Sequence, residues 1–228
     1  MIKGISIFIP AYNDEKTVRQ LILDAISVMD PLDLDYEIII VDDASRDATV
    51  KIVKRLAETH KKVKLVQHKE NRDYGGALRS GFRAATKEWI FYTDGDGQYD
   101  IKEITGLLPY AGEFDLINGY IQKRMDPWYR IFAGKIYQFL IDCLFGKTLI
   151  YTNCDFRLIR KEIIDRVSIN SNSGFAPAEI IIRLVRSGVR VKQVPVSHFP
   201  RRYGRSTFFN MKRIFSIFSD LCRFLIKA

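Results

Sequence analysis

A chain of 228 residues, 47% apolar and 28% charged, is long and apolar enough for a packed core. This excludes a disordered chain and leaves one large α/β domain or two small ones, with one preferred. The net charge of +9 is unevenly spread: residues 1–115 carry 16 basic against 20 acidic side chains, a net of −4, and residues 116–228 carry 20 against 7, a net of +13. The second half therefore presents either an ordinary solvated basic surface or a face for something anionic, with phosphate groups, lipid headgroups and nucleic acid as the candidates.

The N-terminus carries no signal-peptide pattern, because Met1-Ile2-Lys3-Gly4 runs straight into the strand-like Ile5–Ile9, closed by Pro10. Helical spacing follows over Asp14–Met29, with acidic residues in the first turn where the helix dipole favours them. Strands are expected at 37–41, 63–67 and 88–93, and helices at 47–59 and 75–85. The second half is less regular: helix over 128–145, strand over 155–159, short helix over 161–167, helix over 177–187 capped by Gly188, and strand over 189–196. The three cysteines, Cys143, Cys154 and Cys222, make no CxxC pair, fit a reducing cytosol and read as small buried apolar residues. No apolar run reaches the roughly 18 residues that a membrane-crossing helix needs, so the chain is expected not to span a bilayer but to be able to lie on one.

The β-α-β-α alternation predicts a mostly parallel sheet with helices on both faces, and in such folds ligands sit beyond the carboxyl ends of the strands. Three polar loops fall at those ends: Pro10-Ala11-Tyr12-Asn13-Asp14, Asp42-Asp43-Ala44-Ser45 and Asp94-Gly95-Asp96-Gly97-Gln98. Two carboxylates one residue apart, with Gln98 nearby, suit a hard divalent cation whose other ligands are phosphate and water. The glycines at 95 and 97 permit a tight turn and close backbone approach. Asp42 and Asp43 suit a nucleobase N–H or a ribose hydroxyl, the alternative being a cap for the next helix. Asn71 to Gly76 is a Gly-rich turn whose backbone N–H groups suit phosphate, although it has neither P-loop nor dinucleotide spacing.

In the basic half, Arg201-Arg202-Tyr203-Gly204-Arg205-Ser206 is a compact cationic loop, and Lys123, Arg124 and Arg130 form a second cationic group. Glu179 is a candidate base or acceptor-side carboxylate, with a helix-start charge as the alternative. Residues 207–227 read as a basic, aromatic-rich amphipathic helix, suited either to a membrane interface or to packing on the core or on another subunit, the last implying a homo-oligomer. No helix-turn-helix, zinc or RNP pattern supports nucleic-acid binding.

In combination these motifs resemble glycosyltransferase family 2, and within it the polyprenyl-phosphate sugar transferases. The matching segments are Ile9–Asn13, Val41–Thr49, Asn71–Gly76, Asp94–Gln98, Cys154–Leu158, Glu179 and Arg201–Ser206. The resemblance implies a GT-A (Rossmann-like) α/β domain over 1–206, with a nucleotide-sugar half (1–115) and an acceptor half (116–206), followed by the amphipathic helix at 207–228. It implies that Pro10, Tyr12 and Asp14 line the nucleoside pocket and that Val41 and Asp43 contact the base. Gly95 and Asp96, with Asp94, would hold the diphosphate side, while Asp96 and Gln98 would ligate Mg²⁺ or Mn²⁺. Arg130 and Arg201, with Ser206, would meet phosphate. The implied reaction is inverting transfer from a UDP- or GDP-sugar to a polyprenyl phosphate, at the cytoplasmic face of a membrane. Transfer to a hydroxyl, or an impaired sugar-nucleotide-binding subunit, are the alternatives. The chain departs from the family pattern at Ile121, Tyr151 and Thr207.

Overall fold

The computed structural model describes residues 2–146, 152, 154–201, 203 and 210–227. Among these, seven strands form one sheet: β1 (Gly4–Ala11), β2 (Asp35–Asp42), β3 (Val63–Gln67), β4 (Trp89–Thr93), β5 (Leu116–Ile121), β6 (Phe156–Arg160) and β7 (Val191–Val196). Their order is β3-β2-β1-β4-β6-β5-β7, and β6 runs antiparallel to both its neighbours while the remaining pairs are parallel. The expected mostly parallel α/β architecture is therefore present, and one sheet draws strands from both halves of the chain.

The period-2 alternation of β1, β2 and β4 divides the core. Ile5, Ile7, Ile9, Ile38, Ile40 and Phe91 pack with α1 (Val18–Met29) and α2 (Thr49–Thr59) on one face. Phe8, Ile39, Val41, Ile90 and Tyr92 pack with α3 (Asp73–Ala84) and α6 (Ala176–Arg186) on the other. Each fully buried isoleucine here contributes about 1.5–3 kcal/mol by leaving water. The remaining helices are α4 (Trp128–Phe145), the one-turn α5 (Lys161–Ile164) and α7 (Met211–Lys227). In α7, Ile217, Leu221 and Phe224 pack against Phe175, Ala178 and Ile182 of the α6 region and Ile141 of α4.

Several expectations need correction. Strand β5 was not anticipated, because Asn118 and Gly119 interrupt its apolar pattern. Helix α1 starts at Val18 with no acidic residue in its first turn, since Asn13 adopts a left-handed backbone (φ 58°) and Asp14 belongs to the preceding turn. Of the cysteines only Cys154 is buried, while Cys143 and Cys222 are exposed. Helix α7 does pack on the core, but along one stripe only: Phe215, Phe218 and Ile226 remain exposed, as do Trp128, Phe132 and Phe139 of α4.

Candidate active site

Because β1, β2 and β4 are parallel and in register, their carboxyl ends open on one edge of the sheet. A cavity of about 510 Å³ lies there, lined by Pro10, Tyr12, Asp14, Asp43, Asp94, Gly95 and Asp96, with Arg201, Tyr203 and Arg213 contributed from the second half. The loops that form it are stitched to one another. The Asn13 amide donates to Ser45 Oγ (2.9 Å), the Arg46 amide to Asn13 Oδ1 (2.8 Å) and the Asp14 amide to Thr49 Oγ1 (2.9 Å). Thr17 Oγ1 donates to the Gly95 carbonyl at 2.7 Å, which ties the first loop to the turn after β4. Three non-glycine residues beside the cavity, Asn13, Ala44 and Asp73, have positive φ (58°, 63° and 57°), a cost that tertiary contacts must offset.

Glycine is required at position 95. A Cβ there would lie 2.6 Å from the Pro10 carbonyl and 3.1 Å from Asp14 Oδ2, so the turn carrying Asp94 and Asp96 can press against the first loop only without a side chain. Asp96 accepts from the Gln98 amide (3.0 Å) and from the Arg201 guanidinium, which reaches it from the far side of the cavity. Asp94 accepts from the Tyr74 hydroxyl at 2.5 Å. Burial, and then the negative charges of Asp155 and Asp96, push its carboxyl well above the ordinary range. Burial is also the main force on Asp14. It outweighs the hydrogen bond from the Tyr12 amide and, with the repulsion of Asp96, lifts this carboxyl to about 7. The site therefore holds negative charge at a cost that a cation would relieve.

The capping alternative for Asp42 and Asp43 fails, because it is Asp47 that accepts from the Thr49 amide (3.0 Å) at the start of α2. Asp42 is buried and its Oδ1 has no partner among the described residues.

Residues 6–168 match the sequence model of the family described as "Glycosyl transferase family 2". The chain belongs to glycosyl transferase family 2. Among solved structures it is similar to glucosyl-3-phosphoglycerate synthase from Mycobacterium tuberculosis in complex with phosphoglyceric acid, at 18% identity and a TM-score of 0.75, covering 97% of this chain and 80% of that one. The same synthase in complex with Mg²⁺ and UDP matches at 17% identity and a TM-score of 0.73, covering 97% and 79%. S. aureus TarS 1-349 matches at 19% identity and a TM-score of 0.61, covering 84% of this chain but 58% of that one. At these identities the likeness speaks for the fold.

Not every residue expected at the site reaches it. Val41, inside β2, is fully buried in the core cluster that holds Ala77 and Leu78, and it does not line the cavity. Gln98 is buried, and its amide nitrogen donates to the Phe199 carbonyl (3.2 Å); it does not line the cavity, and instead braces the segment leading to Arg201. Glu179 is fully buried in the first turn of α6, accepting from the amides of Asn170 (3.2 Å) and Ser171 (2.8 Å) and from Arg183 Nε (2.9 Å), so it anchors a loop and is no base in the cavity. Arg130, at the start of α4, pairs with Asp126 at 3.5 Å outside the cavity wall. The Gly-rich turn is likewise engaged: the Gly75 amide donates to the Asn172 carbonyl at 2.9 Å. Ser206, with Arg202, Gly204, Arg205, Tyr151 and Thr207, lies outside the described residues.

Sequence reasoning missed the polar group beneath the cavity. Arg157 is wholly buried in β6, where its Nε donates to Asn118 Oδ1 (2.7 Å) and its guanidinium lies 3.2 Å from Asp155 and binds the Tyr92 hydroxyl and the Thr152 carbonyl. Its signal was an arginine set between the apolar residues Phe156 and Leu158, inside the strand and not at its end as Arg160 is. Tyr74 and His68 gave no comparable signal.

Proposed function

We propose that this chain transfers a sugar from a UDP- or GDP-sugar to a polyprenyl phosphate, with inversion, at the cytoplasmic face of a membrane. Family membership supports sugar transfer. The observation that carries the finer reading is the meeting of Asp94, Asp96 and Arg201 in one cavity, carboxylates for a cation and a guanidinium for phosphate, drawn from opposite halves of the chain. The donor set is all oxygen, which suits Mg²⁺ or Mn²⁺. Among the described residues no group of three or more His, Cys, Asp or Glu could enclose a metal alone, which suits an ion whose remaining ligands come from a diphosphate. Structures of the similar synthase contain Mn²⁺ or Mg²⁺ with UDP. When bound, such an ion would offset the charge developing on the departing nucleoside diphosphate.

The chain's own residues divide the remaining work. Asp43 receives the base, Pro10, Tyr12 and Asp14 flank the nucleoside, and Gly95 lets the diphosphate approach the backbone. Arg201, paired with Asp96 in this structure, is the guanidinium that would meet a phosphate oxygen. A lipid phosphate is already anionic at neutral pH and requires orientation more than deprotonation. Glu179, the one carboxylate expected as a base, is tied up elsewhere. One observation favours a second reading, transfer to a hydroxyl: Asp14 lines the cavity with its carboxyl raised to about 7, which suits a general base.

The exposed apolar faces of α4 and α7 carry Lys135, Lys212 and Arg223 among Trp128, Phe132, Phe139, Phe215 and Phe218. We take their occupant to be an anionic lipid surface, because two copies of so basic a half would repel one another. Labelled donor offered with polyprenyl phosphate and, separately, with a glycolipid hydroxyl should yield a mild-acid-labile product from the first. Label entering only the hydroxyl acceptor would overturn the assignment in favour of the second reading.

A further inference from the structure

Asp43, the carboxylate assigned above to the nucleobase, is the end of a buried hydrogen-bonded chain that crosses three elements. Its Oδ1 lies 2.7 Å from Nδ1 of His68, the residue that follows β3, and accepts the Arg72 amide at 2.7 Å. The other ring nitrogen, Nε2 of His68, lies 2.8 Å from Ser80 Oγ on α3. The imidazole is almost fully enclosed, with its side chain 4% exposed. The backbone around Asp43 is fixed as well. Its amide donates to the Ala11 carbonyl (2.9 Å), its carbonyl accepts Asn71 Nδ2 (3.1 Å), and the His68 amide donates to the Asp42 carbonyl (2.9 Å). Only Oδ2 of Asp43 carries no hydrogen bond among the described residues, and Asp43 lines the cavity.

This arrangement has a chemical consequence. A carboxylate oxygen facing the imidazole places the ring proton on Nδ1, and Nε2 then accepts from the Ser80 hydroxyl. With Oδ1 saturated by two N–H donors, Oδ2 is left as a pure acceptor held at a fixed point. An immobile acceptor matches a base edge bearing a ring N–H, as in uracil or guanine, and opposes one bearing a lone pair, as in cytosine or adenine. A carboxylate free to rotate could trade Oδ1 for Oδ2 or admit water, and would discriminate less.

We infer that His68, oriented by Ser80, is a positioning residue that locks Asp43 as a one-way acceptor and so sets the chain's preference for bases with a ring N–H. The inference rests on the reading of Asp43 as the base contact. A second role for the same three residues, as a Ser-His-Asp nucleophile, does not fit: Ser80 sits mid-helix in α3, where backbone amides are spent on the helix's own hydrogen bonds.

The test is calorimetric binding of UDP against CDP, and of GDP against ADP, each with Mn²⁺, the pair with the tighter member being used to score preference. Asp43→Asn, which can present either a donor or an acceptor, should collapse the preference; if it does not, the base assignment itself fails, separately from the inference. With that control in place, His68→Ala should reduce the preference about tenfold, the equivalent of one net hydrogen bond. His68→Asn, whose amide nitrogen falls about where Nδ1 lies, should restore most of it, and Ser80→Ala should reduce it roughly threefold. Undiminished preference in His68→Ala overturns the inference. So does a loss that Asn fails to rescue, since a purely structural imidazole would behave in that way. If the alanine variant does not fold, Asn and Ser80→Ala decide: wild-type preference in Ser80→Ala together with lost preference in His68→Asn would overturn it.

Discussion

At the amino end of β2, Glu37 is nearly as inaccessible as any residue in the core, yet it is fully provided with donors: Ser6 Oγ (2.6 Å), Lys64 Nζ (2.6 Å), and the amide and hydroxyl of Thr86 (2.7 and 2.8 Å). Burial pushes its carboxyl up, but these donors outweigh burial and hold it at about 2. At the carboxyl end of the same sheet, Asp94 is half-buried on the cavity wall and accepts from Tyr74, while Asp155 and Asp96 add repulsion; both Asp94 and Asp14 are pushed up. One residue class, in one sheet, thus exists in two states. The amino end is satisfied internally and serves stability, whereas the carboxyl end is left wanting positive charge and serves a ligand.

The largest expected effect lies at the wanting end. Asp96→Ala should lower sugar transfer roughly a thousandfold while the melting temperature stays near that of the wild type, because relief of the repulsion on Asp94 and Asp14 offsets the lost contacts with the Gln98 amide and Arg201. Near-wild-type turnover would remove the metal-holding role from Asp96. At the satisfied end the pattern reverses. Glu37→Ala takes the acceptor from the Ser6 and Thr86 hydroxyls and should cost roughly 3 kcal/mol in denaturant unfolding, with nucleotide affinity of the folded fraction unchanged.

A smaller effect concerns pH. Between the ordinary carboxyl value of 3.8 and about 7, folded Asp14 keeps a proton that the unfolded chain has released. Its contribution to stability is therefore complete below 3.8 and is lost as the pH rises through about 7. Asp14→Asn should flatten this decline in melts taken from pH 4 to 8, and an unchanged slope would place the titration elsewhere.

The comparison also explains what was legible in the sequence. Strands β1, β2 and β4 are apolar runs closed by Pro10, Asp42 and Asp94, so both the alternation and the converging loops could be read directly. Strand β5 could not, because its two interrupting residues answer to partners distant in sequence: Asn118 accepts Arg157, and a Cβ on Gly119 would lie 3.0 Å from the Phe156 carbonyl. Side-chain direction was the other hidden quantity. Val41, Gln98 and Glu179 lie on or beside the expected elements but point into the core, toward Phe199 and into the 170–171 loop, respectively. Periodicity locates a backbone; it does not reveal which long-range donor will claim a polar group.

Titration of UDP and GDP into the protein with and without Mn²⁺, followed calorimetrically, tests the central claim most directly. The account predicts binding of at least one nucleotide that strengthens tenfold or more with the ion, in keeping with a diphosphate bridged to a carboxylate pair. Affinity that is indifferent to Mn²⁺, or no binding of either nucleotide, would contradict it.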